Sequence, residues 1–135
     1  MSTPEARELL ERMGSERGAV PEQFRMMAEL DPRYLELFHE TYVHVMQQSA
    51  HLDRKLKEIV LVAVDAVTYY HYGTKFHMKA ALEHGATAHE IMEALALAGM
   101  ACGIHVPSAA MPLLREALDE FSADARAKVE GQELV

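Results

Sequence analysis

Two carboxylates and an imidazole are the side chains whose types and spacing are best suited to chemistry in this sequence. Glu58 opens and Asp65 interrupts a long apolar run, and His77 follows in the next predicted helix. At about 100° per residue, Glu58 and Asp65 fall on one face of a helix. A neutral imidazole beside a carboxylate is a usual proton relay, since an unperturbed imidazole titrates near neutral pH. The pattern predicts general acid–base chemistry between Glu58 and His77.

Structural roles for the same side chains stay open. Glu58 lies at the start of its helix, where it could face solvent or pair with Lys55 or Lys57. For Asp65 a role as a hydrogen-bonded residue of helix packing is favoured, because a carboxylate buried alone costs several kcal/mol. An isolated histidine such as His77 is more often structural than catalytic.

Histidine is frequent in this chain, which has eight of them, three within the stretch YYHYGTKFHMKAALEHGA at 69–86. A metal site needs three or four convergent ligands. The spacings from His71 to His77 and from His84 to His89 match neither HExxH nor HxH. We therefore expect no metal and no other cofactor.

Nucleophilic catalysis is a weaker prediction than proton transfer. Ser108 is not part of a GxSxG motif. Cys102 is the single cysteine and lies in an Ala- and Gly-rich helix end, where a small buried thiol is expected. One cysteine forms no internal disulfide, which agrees with a reducing, cytoplasmic location.

Helical periodicity and capping signals place these residues in an all-α fold of about six to seven helices. The first helix runs from about Pro4 to Met13, before two glycines, and Pro21 and Asp31 open the next two. Asp53 caps a fourth helix that is apolar on nearly every face. We expect that helix to be the central one.

Glycines and a capping box punctuate the second half of the chain. A break at Gly73 and Thr74 precedes the fifth helix, which Gly85 ends in a position suited to a left-handed cap. Thr87 and Glu90, three residues apart, form a capping box that starts the sixth helix.

The end of the chain is predicted to contain a seventh helix. Gly103 stops the sixth helix, and the last one extends over about 108–121. Pro112 must either kink that helix or mark its true first turn, because proline removes a backbone hydrogen bond. The tail at 122–135 is polar and is expected to fray or to lie on the surface.

Length and composition favour one domain over 1–135, with an N-terminal helix and loop at 1–20, a core at 21–121 and a tail at 122–135. The net charge of −8, without a basic cluster longer than DRKLK, disfavours nucleic acid as a partner. No apolar stretch reaches the ~18 residues of a membrane span. The first residues, MSTPEARELLERMG, indicate a capped amphipathic helix rather than a secretory signal. We expect a cytoplasmic protein.

The run LDRKLKEIVLVAV, a histidine further on, and KAALEHGATAHEIMEAL occur in the same register as in a known superfamily. Over about residues 20–120 the chain resembles the carboxymuconolactone decarboxylase and alkylhydroperoxidase D-like superfamily. The resemblance implies that its glutamate is Glu58 and its histidine is His77. The two cysteines of the peroxidase branch fall on Tyr70 and Gly73, so that this sequence looks more like the decarboxylase branch, which lacks the pair.

That resemblance implies a cofactor-free lyase or isomerase acting on a small carboxylated or lactone compound, with Glu58 and His77 as the catalytic pair. The substrate pocket is then expected to be lined by five residues: Asp65, Tyr70, His71, Tyr72 and Gly73. Lys75, Lys79 or Arg54 could attract an anionic substrate. One alternative is a thiol-dependent, alkylhydroperoxidase-like enzyme using Cys102. Another is a binding protein that keeps the helices, has lost the chemistry and has Tyr70 or Tyr72 filling the site.

The same resemblance implies assembly as a homotrimer or a homohexamer. The residues give an independent argument, because a nearly all-apolar central helix and Met-rich neighbours offer more apolar surface than one small bundle covers. We expect a homo-oligomer.

Overall fold

The computed structural model describes residues 3–133 and confirms the predicted all-α class. Over these residues it contains seven α-helices and one π-helical turn, and no strand. The chain divides into two compact units, Met1–His51 and Leu52–Val135. The expectation of one domain over 1–135 stays a prediction. Among the described helices, none combines the length and the apolar character needed to cross a bilayer.

Three helices and the π-helical turn form the first unit: α1 Pro4–Arg17, α2 Glu22–Leu30, α3 Pro32–Val43 and the turn His44–Gln48. The predicted end of α1 at Met13 is wrong, since Gly14 continues the helix. Glycine inside a helix costs only about 1 kcal/mol relative to alanine. The left-handed backbone that ends α1 is at Gly18, with φ +79°. The core of this unit is made by Ala6, Leu9, Met13, Ala28 and Leu35.

Four helices form the second unit: α4 Arg54–Val67, α5 His71–Glu83, α6 Ala88–Cys102 and α7 His105–Glu133. As predicted, α4 is central, because it packs against α5, α6 and α7. It is nonetheless not buried all round, since Leu56, Val60 and Val64 are exposed. The largest buried side chains of the core are Val62, Met78, Ile91, Leu95 and Val106.

The joint between α4 and α5 differs from the prediction. Gly73 and Thr74 lie in the first turn of α5, so the predicted break there is wrong. The chain instead turns at Tyr69, which takes a left-handed φ of +56°. That conformation costs an L-residue roughly 1–2 kcal/mol. Because α5 begins at His71, His77 lies in its second turn, beside α4.

The capping box of α6 is confirmed, since the Glu90 N–H donates to Oγ1 of Thr87 at 3.1 Å and the Glu90 carboxylate accepts from the Thr87 N–H. Gly85 and Gly103 end their helices as predicted, with positive φ. The predicted limits of the last helix are wrong, because α7 runs on into the polar tail. Pro112 lies inside α7, where it removes only one N–H, and the residues after it include good helix formers.

Candidate active site

A short hydrogen bond joins α4 to α5. Nδ1 of His77 lies 2.6 Å from Oε2 of Glu58. The Glu58 side chain is fully buried, whereas the His77 side chain keeps 15% of its exposure. The packing of α5 against α4 therefore places the glutamate behind the histidine, with the imidazole at the accessible edge.

Arg54 completes the surroundings of Glu58. Its Nε donates to Oε1 of Glu58 at 2.7 Å, one helical turn earlier on α4. Each carboxylate oxygen therefore has a charged or polar partner, which compensates the cost of burying it. The predicted pairing with a neighbouring lysine is wrong for Lys55, which instead binds Glu90 across helices at 3.1 Å. The spacing of four residues between Arg54 and Glu58 was the sequence signal for this ion pair.

These contacts keep Glu58 ionised. Burial by itself raises the pKa of Glu58, but the hydrogen bonds from His77 and Arg54 outweigh it, so the pKa lies below its ordinary value. An ionised carboxylate accepts the proton on Nδ1, which leaves the lone pair of a neutral ring on Nε2. Nε2 is therefore the nitrogen that can exchange a proton with a bound molecule.

Asp65 lies on the other side of the imidazole. Its Oδ2 is 3.8 Å from Nε2 of His77, and its side chain is 18% exposed. Burial raises the pKa of Asp65, and the charge of His77 offsets only part of this. The ring thus stands between two carboxylates, one in hydrogen-bond contact and one held slightly further away.

Gly73 lies against Asp65 and Tyr70 at this end of the site. It is buried in α5, and a Cβ at this position would overlap Oδ2 of Asp65 and lie 2.5 Å from Cδ1 of Tyr70. Gly73 is needed for space and not for backbone conformation, because its φ is not in the left-handed region. The sequence had indicated a pocket residue here, but not the reason for glycine.

The aromatic residues predicted to line the pocket separate into two groups. Tyr70 and Tyr72 are half exposed, with ring centroids 6.1 Å apart. Phe76, which sequence reasoning missed, packs edge-on against the His77 ring at 5.2 Å. His71 instead borders a small cavity of about 10 Å³ next to Tyr69. Neither tyrosine separates Glu58 from His77, since those two side chains are in direct contact.

The two lysines predicted to attract an anionic substrate form ion pairs with carboxylates of α7. Lys75 binds Glu120 and Glu116, at 2.5 and 3.2 Å, and these hydrogen bonds raise its pKa. Lys79 binds Glu120 at 3.1 Å and also has a raised pKa. They brace α5 against α7. Arg54 is the cation that reaches the site.

The single cysteine lies elsewhere in the second unit. Cys102 is exposed, so the prediction of a buried thiol is wrong. It ends α6 and borders an apolar groove between α4 and α6. Within residues 3–133, no group of three or more His, Cys, Asp or Glu side chains is arranged to hold a metal ion.

The fold and the buried pair define a helical protein with a carboxylate–imidazole site. Residues 32–116, well over half of the chain, match the carboxymuconolactone decarboxylase family. The chain belongs to the carboxymuconolactone decarboxylase family, which confirms the predicted resemblance.

A solved structure has the same fold over nearly the whole chain. It is the crystal structure of a protein of Burkholderia xenovorans LB400 that carries carboxymuconolactone decarboxylase as a provisional name. The two share 23% sequence identity with a TM-score of 0.71, and the match covers 95% of this chain and 96% of that one. No curated protein matches the sequence.

Proposed function

We propose that this protein catalyses a cofactor-free proton transfer on a small carboxylated or lactone compound, as a lyase or an isomerase. The observation that carries the proposal is the 2.6 Å hydrogen bond between Nδ1 of His77 and the fully buried Glu58. Membership of the carboxymuconolactone decarboxylase family supports the substrate class.

The two residues have different roles in this proposal. Nε2 of His77 takes a proton from the substrate, and the imidazolium that forms returns it to another atom. Glu58 holds the ring with Nε2 as the free base and stabilises the imidazolium, while Arg54 offsets the buried carboxylate. General acid–base catalysis by a positioned group contributes typically about 10²- to 10⁴-fold in rate.

A matched pair of histidine variants tests the proposal. Turnover of a panel of lactones and lactone acids is followed by ultraviolet absorbance for the wild type, His77→Gln and His84→Gln. His84 caps the end of the same helix, is exposed, and has its Nδ1 2.8 Å from the Ala80 carbonyl oxygen. We expect His77→Gln to lose about 10²- to 10⁴-fold and His84→Gln to keep its activity. Equal activity in all three proteins contradicts a role for His77.

A thiol-dependent peroxidase predicts a different result. Thiol–disulfide exchange needs an attacking thiolate and a resolving partner, and Cys102 is the single cysteine. We expect Cys102→Ser to leave the lactone activity unchanged. Peroxide-dependent turnover that Cys102→Ser abolishes would favour the alkylhydroperoxidase-like alternative.

We also propose that copies of this chain assemble as a homotrimer or a homohexamer. The groove between α4 and α6 encloses about 490 Å³ and is lined almost entirely by apolar side chains, among them Val60, Val64 and Leu97. These three side chains are 45–60% exposed, and neighbouring exposed apolar side chains are typical of an interaction site. Sedimentation of the wild type and of Leu97→Glu tests this, with a trimer or hexamer expected only for the wild type. A wild-type monomer contradicts it.

The setting proposed for this activity is the cytoplasm. The support comes from the sequence, which has one cysteine and so forms no internal disulfide. Fractionation of the native cells tests the location, and recovery of the protein outside the cytoplasm contradicts it.

A further inference from the structure

Asp65 is the titratable group of the site that the Glu58–His77 pair leaves without a role. It is on the same helix as Glu58, two turns further along, and its Oδ2 lies 3.8 Å from Nε2 of His77. Since Nδ1 is bound by Glu58, Nε2 is the nitrogen available to a substrate. A distance of 3.8 Å is too long for a hydrogen bond but short enough for both groups to act on one small molecule.

Gly73 is what lets the Asp65 carboxylate come this close. It is unfavourable in a helix on propensity alone. A methyl group at residue 73 would overlap Oδ2 of Asp65, so any larger residue displaces the carboxylate or the helix. Gly73 is therefore explained by the position of Asp65 and of the Tyr70 ring, against which a Cβ would also lie too close.

The pKa values of the two carboxylates are shifted in opposite directions. The pKa of Glu58 is lowered by its hydrogen bonds despite burial, and the pKa of Asp65 is raised by burial despite the nearby His77. When the pKa values of two carboxylates around one reacting centre are pushed apart, one suits an ionised role and the other a proton-carrying role. In this site the shift of Asp65 is in the direction that favours its protonated form.

We propose that Asp65 is a second catalytic residue of this site, an acid that exchanges a proton with the substrate beside Nε2 of His77, and that Gly73 is its positioning residue. This inference rests on the proposed function. It assigns the two ends of a proton shift to two side chains instead of one.

The step balances without a cofactor. In an unsaturated lactone, Nε2 of His77 takes the proton from the carbon α to the carbonyl, and the C–H electron pair becomes part of a dienolate. The Asp65 carboxylic acid then gives its proton to the γ carbon, forming the new C–H bond. The His77 imidazolium finally passes its proton to the Asp65 carboxylate, which restores both groups. No electrons are gained or lost.

An isomerisation assay separates the two ends of this shift. The probe is α-angelica lactone, whose conversion to the conjugated isomer is followed by ultraviolet absorbance, and whose α-carbon exchange in deuterated water is followed by NMR. For Asp65→Asn we expect isomerisation to fall about 10²-fold or more while exchange continues. For His77→Gln both fall. Isomerisation by Asp65→Asn within twofold of the wild type overturns the proposal.

The positioning role of Gly73 has its own matched control. Gly73→Ala is compared with Gly131→Ala, a helical glycine with open space around the added methyl group. We expect Gly73→Ala to lose isomerisation in the same direction as Asp65→Asn, with exchange retained, and Gly131→Ala to match the wild type. A folded Gly73→Ala variant with unchanged isomerisation overturns the positioning role.

A readout without substrate separates failure of this inference from failure of the proposed function. The ¹⁵N chemical shift of Nε2 of His77 is followed during a pH titration of the wild type, Asp65→Asn and Asp119→Asn. Asp119 is an exposed carboxylate on α7 and serves as the control. We expect an inflection from Asp65 in the wild type and in Asp119→Asn that Asp65→Asn removes. Its absence from the wild type overturns the inference.

If the wild type turns over no lactone but shows this inflection, the proposed function fails and the coupling of Asp65 to His77 stands. If the wild type turns over lactone and Asp65→Asn changes neither the turnover nor the inflection, the proposed function stands and Asp65 has no part in it.

Discussion

Residues 3–133 include two glutamate–histidine pairs with the same 2.6 Å separation, one in each compact unit. The histidine is the more buried partner in one pair and the glutamate in the other. In the first unit Nε2 of His39 meets Oε2 of Glu16, and the histidine side chain is 2% exposed while the glutamate is 38% exposed. In the second unit Glu58 is fully buried and His77 is 15% exposed. A short carboxylate–imidazole bond is therefore not by itself a sign of catalysis.

The second ring nitrogen distinguishes the two pairs. Nδ1 of His39 is buried without a hydrogen-bond partner, and its ring stacks on Tyr42 with centroids 6.4 Å apart. Nε2 of His77 instead faces Asp65 at the accessible edge. A proton carrier needs one nitrogen held by the protein and the other open to the substrate. Only the arrangement around His77 meets both conditions.

A neighbouring cavity does not by itself identify a catalytic pair. A cavity of about 320 Å³ borders Glu16 and His39. Its access is to the glutamate side of the pair, since the histidine is buried. This difference predicts a structural role for His39 and a chemical role for His77.

The largest effect is expected from His39→Ala, which removes a buried ring from the first unit. We expect a loss of about 2–4 kcal/mol in the free energy of unfolding, from the cavity and the lost hydrogen bond to Glu16. Turnover of the lactone panel per folded molecule should not change. Denaturant unfolding and activity assays, with the exposed His84→Ala as control, measure both. A large loss of turnover without a loss of stability would contradict a purely structural role for His39.

Variants of the two glutamates test whether only Glu58 supports catalysis. Glu58→Gln removes the negative charge that orients and stabilises the His77 ring. Carboxylates that orient metal-binding histidines typically contribute about 10- to 100-fold, and we expect a loss of that order here. That loss corresponds to about 1.4–2.7 kcal/mol in the activation free energy. Glu16→Gln should leave turnover unchanged. The kcat/KM of each variant is measured relative to the wild type. Equal losses in both variants would contradict the different roles of the two glutamates.

Local capping signals explain how much of the fold the sequence predicts. The caps at Asp31 and Asp53 and the Thr87–Glu90 box are confirmed, because each depends on residues three apart in the chain. The break expected at Gly73 was wrong for the opposite reason. Glycine makes room there for Asp65 and the Tyr70 ring. The contact with Asp65 joins two helices, and local propensity does not contain it.

Residues of the two glutamate–histidine pairs also differ in whether a local sequence signal could reveal them. Arg54 could be found from its spacing of four residues to Glu58, since such pairs face each other on a helix. The pair of Glu16 and His39 joins residues 23 apart across separate helices, and the sequence has no signal for it. Which partner of a pair is buried depends on helix packing, so exposure was the property that sequence reasoning could not supply.

Acid unfolding tests whether Glu58 is ionised as the site requires. Its folded-state pKa is lowered, so its contribution to stability is present above the pKa of the unfolded chain and is lost as pH falls through the folded-state pKa. We expect wild type to exceed Glu58→Gln in stability at about pH 6, on the order of 1 kcal/mol, and the difference to shrink towards about pH 3. Denaturant titrations at both pH values measure it; a difference that grows in acid contradicts it.

The smallest effect on stability is expected from Asp65→Asn, and it is a gain rather than a loss. Because burial raises the pKa of Asp65, folding favours the protonated form. The resulting stabilisation is present below the unfolded-state pKa and is lost as pH rises through the folded-state pKa. Replacing Asp65 by asparagine should therefore raise the Tm at neutral pH by about 1–3 °C and give no gain in strong acid. Thermal unfolding across this range checks the sign. A stabilised variant that has lost isomerisation would show that the carboxylate is kept at a cost in stability, as expected for a residue retained for chemistry.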